Sequence, residues 1–588
     1  MKNISKHVLV MISCMALLQA CKKDNPGNNG GGGGGGGGTD TTTTITPPTE
    51  PSIASTQGFF LDNWQAKTWV APASVAASKP GVTGPVTITV DLSKEITKVS
   101  SYIYGNNLNP FMGQVATVPT LMGNINNLAP HIIRFPGGSL SDVYFWDQSS
   151  QPPADAPANL LDDAGNVTAA YYWYGNSPAT TTMTVDNYYT VLQQTHSTGL
   201  ITVNYGYARY GTSANPVETA AHYAANWVRY DKARTTYWEV GNEIYGNWEA
   251  GYRIDQSLNK DGQVQIQDGT TYGNHFKIFA DSMRAAAAEV GNTNIKIGIV
   301  VDGADDANGS ASGQVSNWNA NVFAAEGNSA DFFVVHNYYT PYDQNSTPTV
   351  ILNTPTSGTS SMMTWIKSSA LLAGATQKPV AMDEWNIFAT GSSQMVSSVA
   401  GVHAVMTLGE ALKDQVSMAG RWDLANSWDN GDDQGMFNNS APYQGAEPNA
   451  PAWNPRPAFY YMYFFQNYIG DHLVSTSTTS SDIVSYGSSY SSGEAGVILV
   501  NKASGNHVVV VNFKNFAAGS TYYYYTLNGG TDNPPFSHQV FVNGTGPTGD
   551  SGGPSNYASI SAKSTSTAGG IVVTVPALGV VYLVVDKK

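Results

Sequence analysis

Eight short runs rich in β-branched and aromatic residues recur down the middle of this chain: "SYIYGNNL", "HIIRFPGG", "LITVNYGY", "TYWEVGNE", "IKIGIVVDG", "DFFVVHNYY", "KPVAMDEWN" and "GRWDLANSW". Between several of them lie segments with apolar residues three and four apart, such as "ETAAHYAANWVRY", "NHFKIFADSMRAAAAEVG" and "SSVAGVHAVMTLGEALK". Strand then helix, eight times over, implies an α/β fold in which a parallel sheet closes on itself, a (β/α)8 TIM barrel. The crossover after the first run, "MGQVATVPTLMGNINNLA", carries Pro and Gly and is expected to be irregular. No fixed-period similarity of a solenoid or propeller runs through the chain.

Past about Arg456 the texture changes to strand runs divided by Gly, Ser and Asn, for example "AGVILVNKA", "NHVVVVNF" and "IVVTVPALGVVYLVV". No helical period is legible there, and the segment reads as a C-terminal antiparallel β-sandwich domain. The run "VTITVDL", Val86 to Leu92, precedes the barrel and is expected to join that sandwich. The resulting division is residues 98–455 for the barrel and 456–588 for the sandwich, with 56–97 as an N-terminal extension.

The chain starts with Lys2, Lys6 and an apolar run that is too short to span a membrane, followed by Leu18-Gln19-Ala20-Cys21. This reads as a signal over residues 1–20, and "LQAC" resembles the lipobox of bacterial lipoproteins. That resemblance implies lipidation of Cys21, a membrane partner through the lipid, and export to a bacterial cell envelope or outer membrane surface. The alternative is a cleaved signal with an incidental cysteine. Residues 21–55, Gly-, Thr- and Pro-rich, have almost nothing to bury and read as a flexible tether. Cys14 leaves with the signal, so no thiol remains for a disulfide, a metal or a nucleophile. Charged residues are only 12% of the 588 and the net charge is −15, which excludes a basic nucleic-acid face. The abundance of Tyr, Asn, Gly, Ser and Thr suits a protein that stacks rings on sugars, although a weakly charged secreted scaffold has the same composition.

Within "YWEVGNEIYGNWEAG" stand three carboxylates, Glu239, Glu243 and Glu249. Reactive groups in a barrel sit where strands end at the C-terminal face, and Glu243 closes the fourth strand. Glu239 lies deeper on the same side, where it needs a partner, and Arg134 in "HIIRFPGG" is the candidate. Glu249 falls in the following loop and is expected to be solvated or a rim contact. Glycoside hydrolysis requires a second carboxylate. "VAMDEWNIF" offers Asp383 and Glu384, which simple alternation would point to opposite sides of the seventh strand. The fourth and seventh strands lie nearly opposite, a geometry that can bring two carboxyls within about 5.5 Å.

Together "RFPGG", "WEVGNE", "HNYY" and "DEWN", in this order, resemble the retaining glycoside hydrolases of clan A, and most closely the α-L-arabinofuranosidases of glycoside hydrolase family 51. The resemblance covers the barrel from Ile103 to about Trp428. It implies that Glu243 is the general acid/base and Glu384 the nucleophile. It implies further that Asn242 bonds a sugar hydroxyl, that Tyr338 orients the nucleophile, and that His336 belongs to the same support. Tyr338 and Arg134 are expected to keep Glu384 ionised, and the aromatic surroundings of Glu243, Tyr245 and Trp248, to raise its pKa. Three positions depart from the family pattern: Asn109 replaces a sugar-binding glutamate, Ser139 an asparagine and Phe388 a tryptophan. These departures bear on the substrate rather than on the mechanism.

Trp146, Trp248, Trp385, Trp422, Trp428 and Tyr342 fall near strand ends or in loops, where rings either stack on sugars or pack the rim. "WDNGDDQG", Trp428 to Gly435, clusters three aspartates without the spacing of an EF-hand loop and reads as a polar loop lining the cleft. Histidines lack metal-ligand spacing, so neither metal nor cofactor is expected. The expected partner is a plant or algal polysaccharide or oligosaccharide. Two alternatives stay open: an endo-glycanase on a β-glucan, xylan or galactan backbone, and a non-catalytic glycan-binding lipoprotein. Oligomeric state is not legible in the sequence.

Overall fold

Every residue of the strands Ile132–Phe135, Tyr237–Val240, Val380–Asn386 and Met418–Arg421 is buried, as expected of parallel strands covered on both faces. A computed structural model describes residues 45–304, 313–428, 433–439, 447 and 450–588. The signal, Cys21, most of the tether and residues 429–432 of the "WDNGDDQG" loop lie outside the described residues. The barrel strands are β1 (Gly105–Asn107), β2 (Ile132–Phe135), β3 (Thr198–Val203), β4 (Tyr237–Val240), β5 (Lys296–Val300), β6 (Phe332–Tyr338), β7 (Val380–Asn386) and β8 (Met418–Arg421). They run parallel in sequence order, and Gly420 of β8 pairs with Gly105 of β1 to close the cylinder.

After each strand comes a helix: α1 (Pro119–Leu128), α2 (Val185–Thr195), α3 (Pro216–Asp231), α4 (Gly269–Glu289), α5 (Trp318–Glu326), α6 (Pro348–Leu372), α7 (Ser398–Lys413) and α8 (Pro457–Tyr468). Thr184, Asp268, Thr347 and Ser397 start four of them by accepting a backbone N–H three residues on. The first crossover is irregular as expected: two 3-10 turns precede a ten-residue α1.

Two boundaries differ from the sequence reading. Of "SYIYGNNL" only Gly105–Asn107 is strand, because Ser100 caps a 3-10 turn over Ser101–Tyr104. The barrel extends to Tyr468 rather than residue 455, because "PAFYYMYFFQNY" is α8. Eight of its twelve residues are buried, so it carries no polar stripe to mark a helical period.

Phe60, on a 3-10 turn at Gly58–Leu61, closes the end of the barrel where the strands begin. It is 1% exposed, packs with Tyr102, Ile132, Leu200, Tyr237, Phe332 and Met418, and stacks on Tyr237 at 4.9 Å. The tether also ends earlier than residue 55: the Thr46 N–H donates to Asn515 Oδ1 at 3.1 Å, and Glu50 pairs with Lys98. These anchors are polar, which is why an absence of apolar residues did not reveal them.

The second core is an eleven-stranded sheet. The strand Val86–Lys98 joins it, antiparallel to His472–Thr478 and parallel to His507–Lys514. Alternate burial along Val86–Leu92 puts Ile88 and Val90 into a core with Val497, Leu499, Val509 and Leu583. The sheet is therefore mixed rather than purely antiparallel, since Ser74–Ala76 also pairs in parallel, with Ala562–Ser564. Among the described residues no helix is long and apolar enough to cross a membrane.

Candidate active site

Arg134, fully buried in β2, organises the C-terminal mouth of the barrel. Its Nε and Nη2 donate to Glu239 at 2.8 and 3.1 Å, the fork geometry of a strong ion pair, and Thr202 Oγ1 adds a bond to Glu239 at 2.7 Å. This is the pairing expected from strand alternation. Arg134 also donates to Asn107 at 3.1 Å, Asn242 at 2.9 Å and Glu384 at 3.1 Å. Burial lifts the Glu239 carboxyl to about 7 against the pull of Arg134.

Asp383 and Glu384 both face the interior, contrary to simple alternation. Asp383 lies 3.3 Å from Arg134 Nε and 3.3 Å from His336 Nε2. The reason is a register irregularity: pairing of β7 slips between Met382 and Trp385 against β8, and between Val334 and His336 on β6. A locally overwound strand can turn consecutive residues to one side.

Glu243 and Glu384 meet across this network. Tyr338 OH donates to Glu384 Oε1 at 2.5 Å. Glu243 Oε1 lies 3.0 Å from His336 Nδ1 and accepts from Tyr245 OH at 3.3 Å, and its Oε2 accepts from Trp248 Nε1 at 2.8 Å. One oxygen of each glutamate and a His336 nitrogen fall within 4.8 Å of one another. The Glu243 and Glu384 side chains keep 17% and 6% exposure while Arg134, Glu239 and Asp383 keep none, so these two carboxyls reach the cleft.

The electrostatics reverse one expectation. Burial pushes Glu243 up, but His336, Trp248 and Tyr245 outweigh it and hold the carboxyl below its usual range. The aromatic rings turn their polar tips to Glu243 rather than their faces, and so stabilise its charge. Burial, with the Glu243 charge beside it, lifts Glu384 above the usual range against His336, Arg134 and Tyr338. Burial alone would lower His336, yet Glu384, Asp383 and Glu243 hold it well above the usual histidine range.

Glu249 is not a solvated rim group. It is 5% exposed, and its Oε1 accepts from Ser139 Oγ at 2.7 Å and Asn242 Nδ2 at 2.9 Å. Burial, with the charges of Asp142 and Glu243, lifts its carboxyl well above the usual range. The chain doubles back after Glu243, with the Gly246 N–H bonded to the Glu243 carbonyl at 2.6 Å, and that turn returns Glu249 to the site. Asp142 was missed altogether. It accepts the backbone N–H groups of Tyr205, Gly206 and Asn242 at 3.0–3.1 Å, tying together the ends of β3 and β4, and burial lifts it to about 7. Its signal was an acid set among apolar residues in "LSDVYFW".

Other candidates divide between cleft and core. Phe388 stacks on Tyr338 at 4.1 Å, with the edge of the exposed Tyr342 against it at 5.0 Å. Asn109 is fully buried and donates to the carbonyls of Pro136 and Gly137 at 2.9 and 3.1 Å, so it holds the "RFPGG" turn instead of facing the cleft. Gly138 of that turn has φ +70°, and a Cβ there would stand 2.4 Å from the Trp422 ring. Trp385 and Trp146 are 1% and 8% exposed members of the hydrophobic core, not sugar platforms. Trp248, at 45% exposure, and Tyr342, at 77%, are the open rings. Asp433, at the end of the acidic loop, is buried rather than lining the cleft.

Among the described residues two clusters offer metal-ligand atoms, Glu239–His336–Asp383 and Glu243–His336–Glu384. The Arg134 guanidinium, within 3.3 Å of Glu239, Asp383 and Glu384, already supplies the cation there, and a metal ion would meet its charge at close range.

No family model matches the chain, and no curated protein does. Solved structures do. An α-L-arabinofuranosidase from Thermotoga maritima, in complex with arabinose, aligns over 86% of this chain and all of its own, with a TM-score of 0.57 and 16% identity. A family 51 α-L-arabinofuranosidase from Bifidobacterium longum aligns over 86% of this chain and all of its own, at 0.58 and 14%. The fold is that of the clan A glycoside hydrolases. A family 44 xyloglucanase from Paenibacillus polymyxa shares it over 85% of this chain and 99% of its own, at 0.53 and 12%. In the barrel of this chain, Glu384 is on β7 and Glu243 lies just beyond the end of β4.

Proposed function

We propose that this chain is a retaining glycoside hydrolase acting on plant or algal polysaccharide or oligosaccharide, with Glu384 as nucleophile and Glu243 as general acid/base. The observation that carries the reading is the approach of the two carboxyls, within 4.8 Å by their nearest ligand atoms. So close an approach favours the ~5–5.5 Å carboxyl separation of retaining enzymes over the wider gap that inverting ones leave for a water.

In the first half-reaction an electron pair of Glu384 forms a bond to the anomeric carbon. The bond to the leaving oxygen breaks with its pair, and Glu243 gives that oxygen its proton. In the second, water attacks the same carbon, the ester pair returns to Glu384, and Glu243 takes the proton from water. The proton for the first step resides on the Glu243–His336 pair, whose Oε1 and Nδ1 are 3.0 Å apart. With that proton on Glu243, the His336 charge that lowers Glu384 and the Glu243 charge that lifts it go together, and the Arg134 charge and the Tyr338 hydrogen bond remain to favour the ionised nucleophile. In this reading Asn242, held at both ends of its amide by Arg134 and Glu249, bonds a sugar hydroxyl.

The substrate reading is α-L-arabinofuranosidase-like. A second reading, endo-action on a glycan backbone, is favoured by the open rings of Trp248 on the Glu243 side and Tyr342 beyond the Glu384 partner Tyr338. A purely glycan-binding protein has no use for the paired acid and nucleophile. Assay of the purified protein against a panel of polysaccharides and nitrophenyl glycosides distinguishes these readings. Proton NMR of the first product should show a retained anomer, and an inverted one would overturn the assignment. The reading also includes an exported lipoprotein anchored through Cys21. Detergent partitioning of the mature protein should vanish in Cys21→Ala.

A further inference from the structure

The loop after β4 bends so that the Trp248 ring lies on Gly246, where a Cβ would stand 2.3 Å from Cε2, with Tyr245 edge-on at 6.1 Å. This fixes the indole with its Nε1–H on Glu243 Oε2 at 2.8 Å and leaves the ring 45% exposed. An indole N–H donates and never accepts, so this bond suits an unprotonated Oε2 and opposes an acid proton on that oxygen. The other oxygen, Oε1, already faces His336 Nδ1 and Tyr245 OH. To reach the leaving oxygen, the proton must therefore pass from the Oε1–Nδ1 pair to Oε2, where Trp248 stands in its way.

The groups around Glu243 are His336 and Tyr338 from β6, Glu384 from β7, and Tyr245, Trp248 and Glu249 from its own loop. Among them Trp248 is the exposed one, able to shift without opening the buried network. It is also bonded to the group that must touch the leaving oxygen, so a leaving-group sugar at Glu243 comes up beside the indole.

We propose that Trp248 is a positioning residue that alternates with the leaving-group sugar. A sugar ring on its open face draws the N–H off Oε2 and lets Glu243 hold the acid proton, and departure of that sugar returns the N–H and keeps Glu243 as the base. The proton balance is that of the two half-reactions: Glu243 loses one proton to the leaving oxygen and regains one from water. The inference rests on Glu243 being the acid/base.

The test uses pH profiles of wild type, Trp248→Phe, Trp248→Ala and Glu243→Gln. Substrates are the fastest nitrophenyl glycoside of the panel and an unsubstituted oligosaccharide of the same sugar. Trp248→Phe keeps a ring and loses the N–H. Its alkaline limb of kcat/KM on the oligosaccharide should move up by about half to one pH unit, and kcat on the nitrophenyl glycoside should fall several-fold. Trp248→Ala should add a rise in KM for the oligosaccharide that the nitrophenyl glycoside does not share. Wild-type pH limbs in Trp248→Phe, or an unchanged oligosaccharide KM in Trp248→Ala, would overturn the inference while leaving Glu243 in its role. Full activity of Glu243→Gln would instead overturn the reading of Glu243 itself.

Discussion

Arg134 touches Glu239, Glu384, Asn107 and Asn242 at once, and this crowding separates catalysis from support among the neighbouring acids. On the proposed assignment, Glu243→Gln removes the proton donor and leaves the Arg134–Glu239 pair in place. Turnover of substrates with poor leaving groups should fall roughly 100- to 10,000-fold. Activated leaving groups should suffer less in the first step, and azide should rescue the second. Glu384→Gln should abolish both kinds of turnover, because no glycosyl-enzyme ester can form. Glu239→Gln should instead lower stability by about 3–5 kcal/mol, read by denaturant titration, since it leaves Arg134 without its forked partner. A Glu239 variant with normal stability and azide-rescuable activity would mean that the acid/base had been misassigned. The positions of Glu243 and Glu384 were legible through the motifs "WEVGNE" and "DEWN" near the C-terminal ends of β4 and β7, although alternation alone did not show that Glu384 shares the interior with Asp383. Glu249 was not legible, because its burial depends on a turn beyond the strand, and a loop carries no periodicity to read.

At the scale of elements, the barrel separates its chemistry from its closure. Phe60 seals the end opposite the carboxylates, so Phe60→Ala should cost about 3–5 kcal/mol by denaturant titration. Its kcat and KM per folded molecule should match wild type, and a changed KM would show that the plug reaches the site. The register slip on β7 does the contrary: it spends a regular strand to aim Asp383 and Glu384 at one cation. Pattern reasoning cannot see such a slip, since it assumes period two throughout. Nor could it find α8, whose wide apolar surface packs toward α1, α7 and the sheet. Pro457 at its first turn was the available signal.

For the whole molecule, the two cores are woven together: the sheet takes Val86–Lys98 from ahead of the barrel and seats it between His472–Thr478 and His507–Lys514. Residues 469–588 expressed alone should therefore stay unfolded or aggregate. A dispersed NMR spectrum from that segment would refute this. The sequence revealed the join through the alternation of "VTITVDL", but not that the strand is internal to the sheet, since register and neighbours are properties of pairing rather than of one strand. The weave also imposes a timetable on synthesis. Val86–Lys98 leaves the ribosome roughly 400 residues ahead of its partners. At about 5–20 residues per second it waits on the order of 20–80 s with both edges bare. The barrel strands, contiguous from Gly105 to Arg421, can assemble in the meantime. Until the last strands emerge to clasp it, that early ribbon lacks both of its neighbours in the sheet.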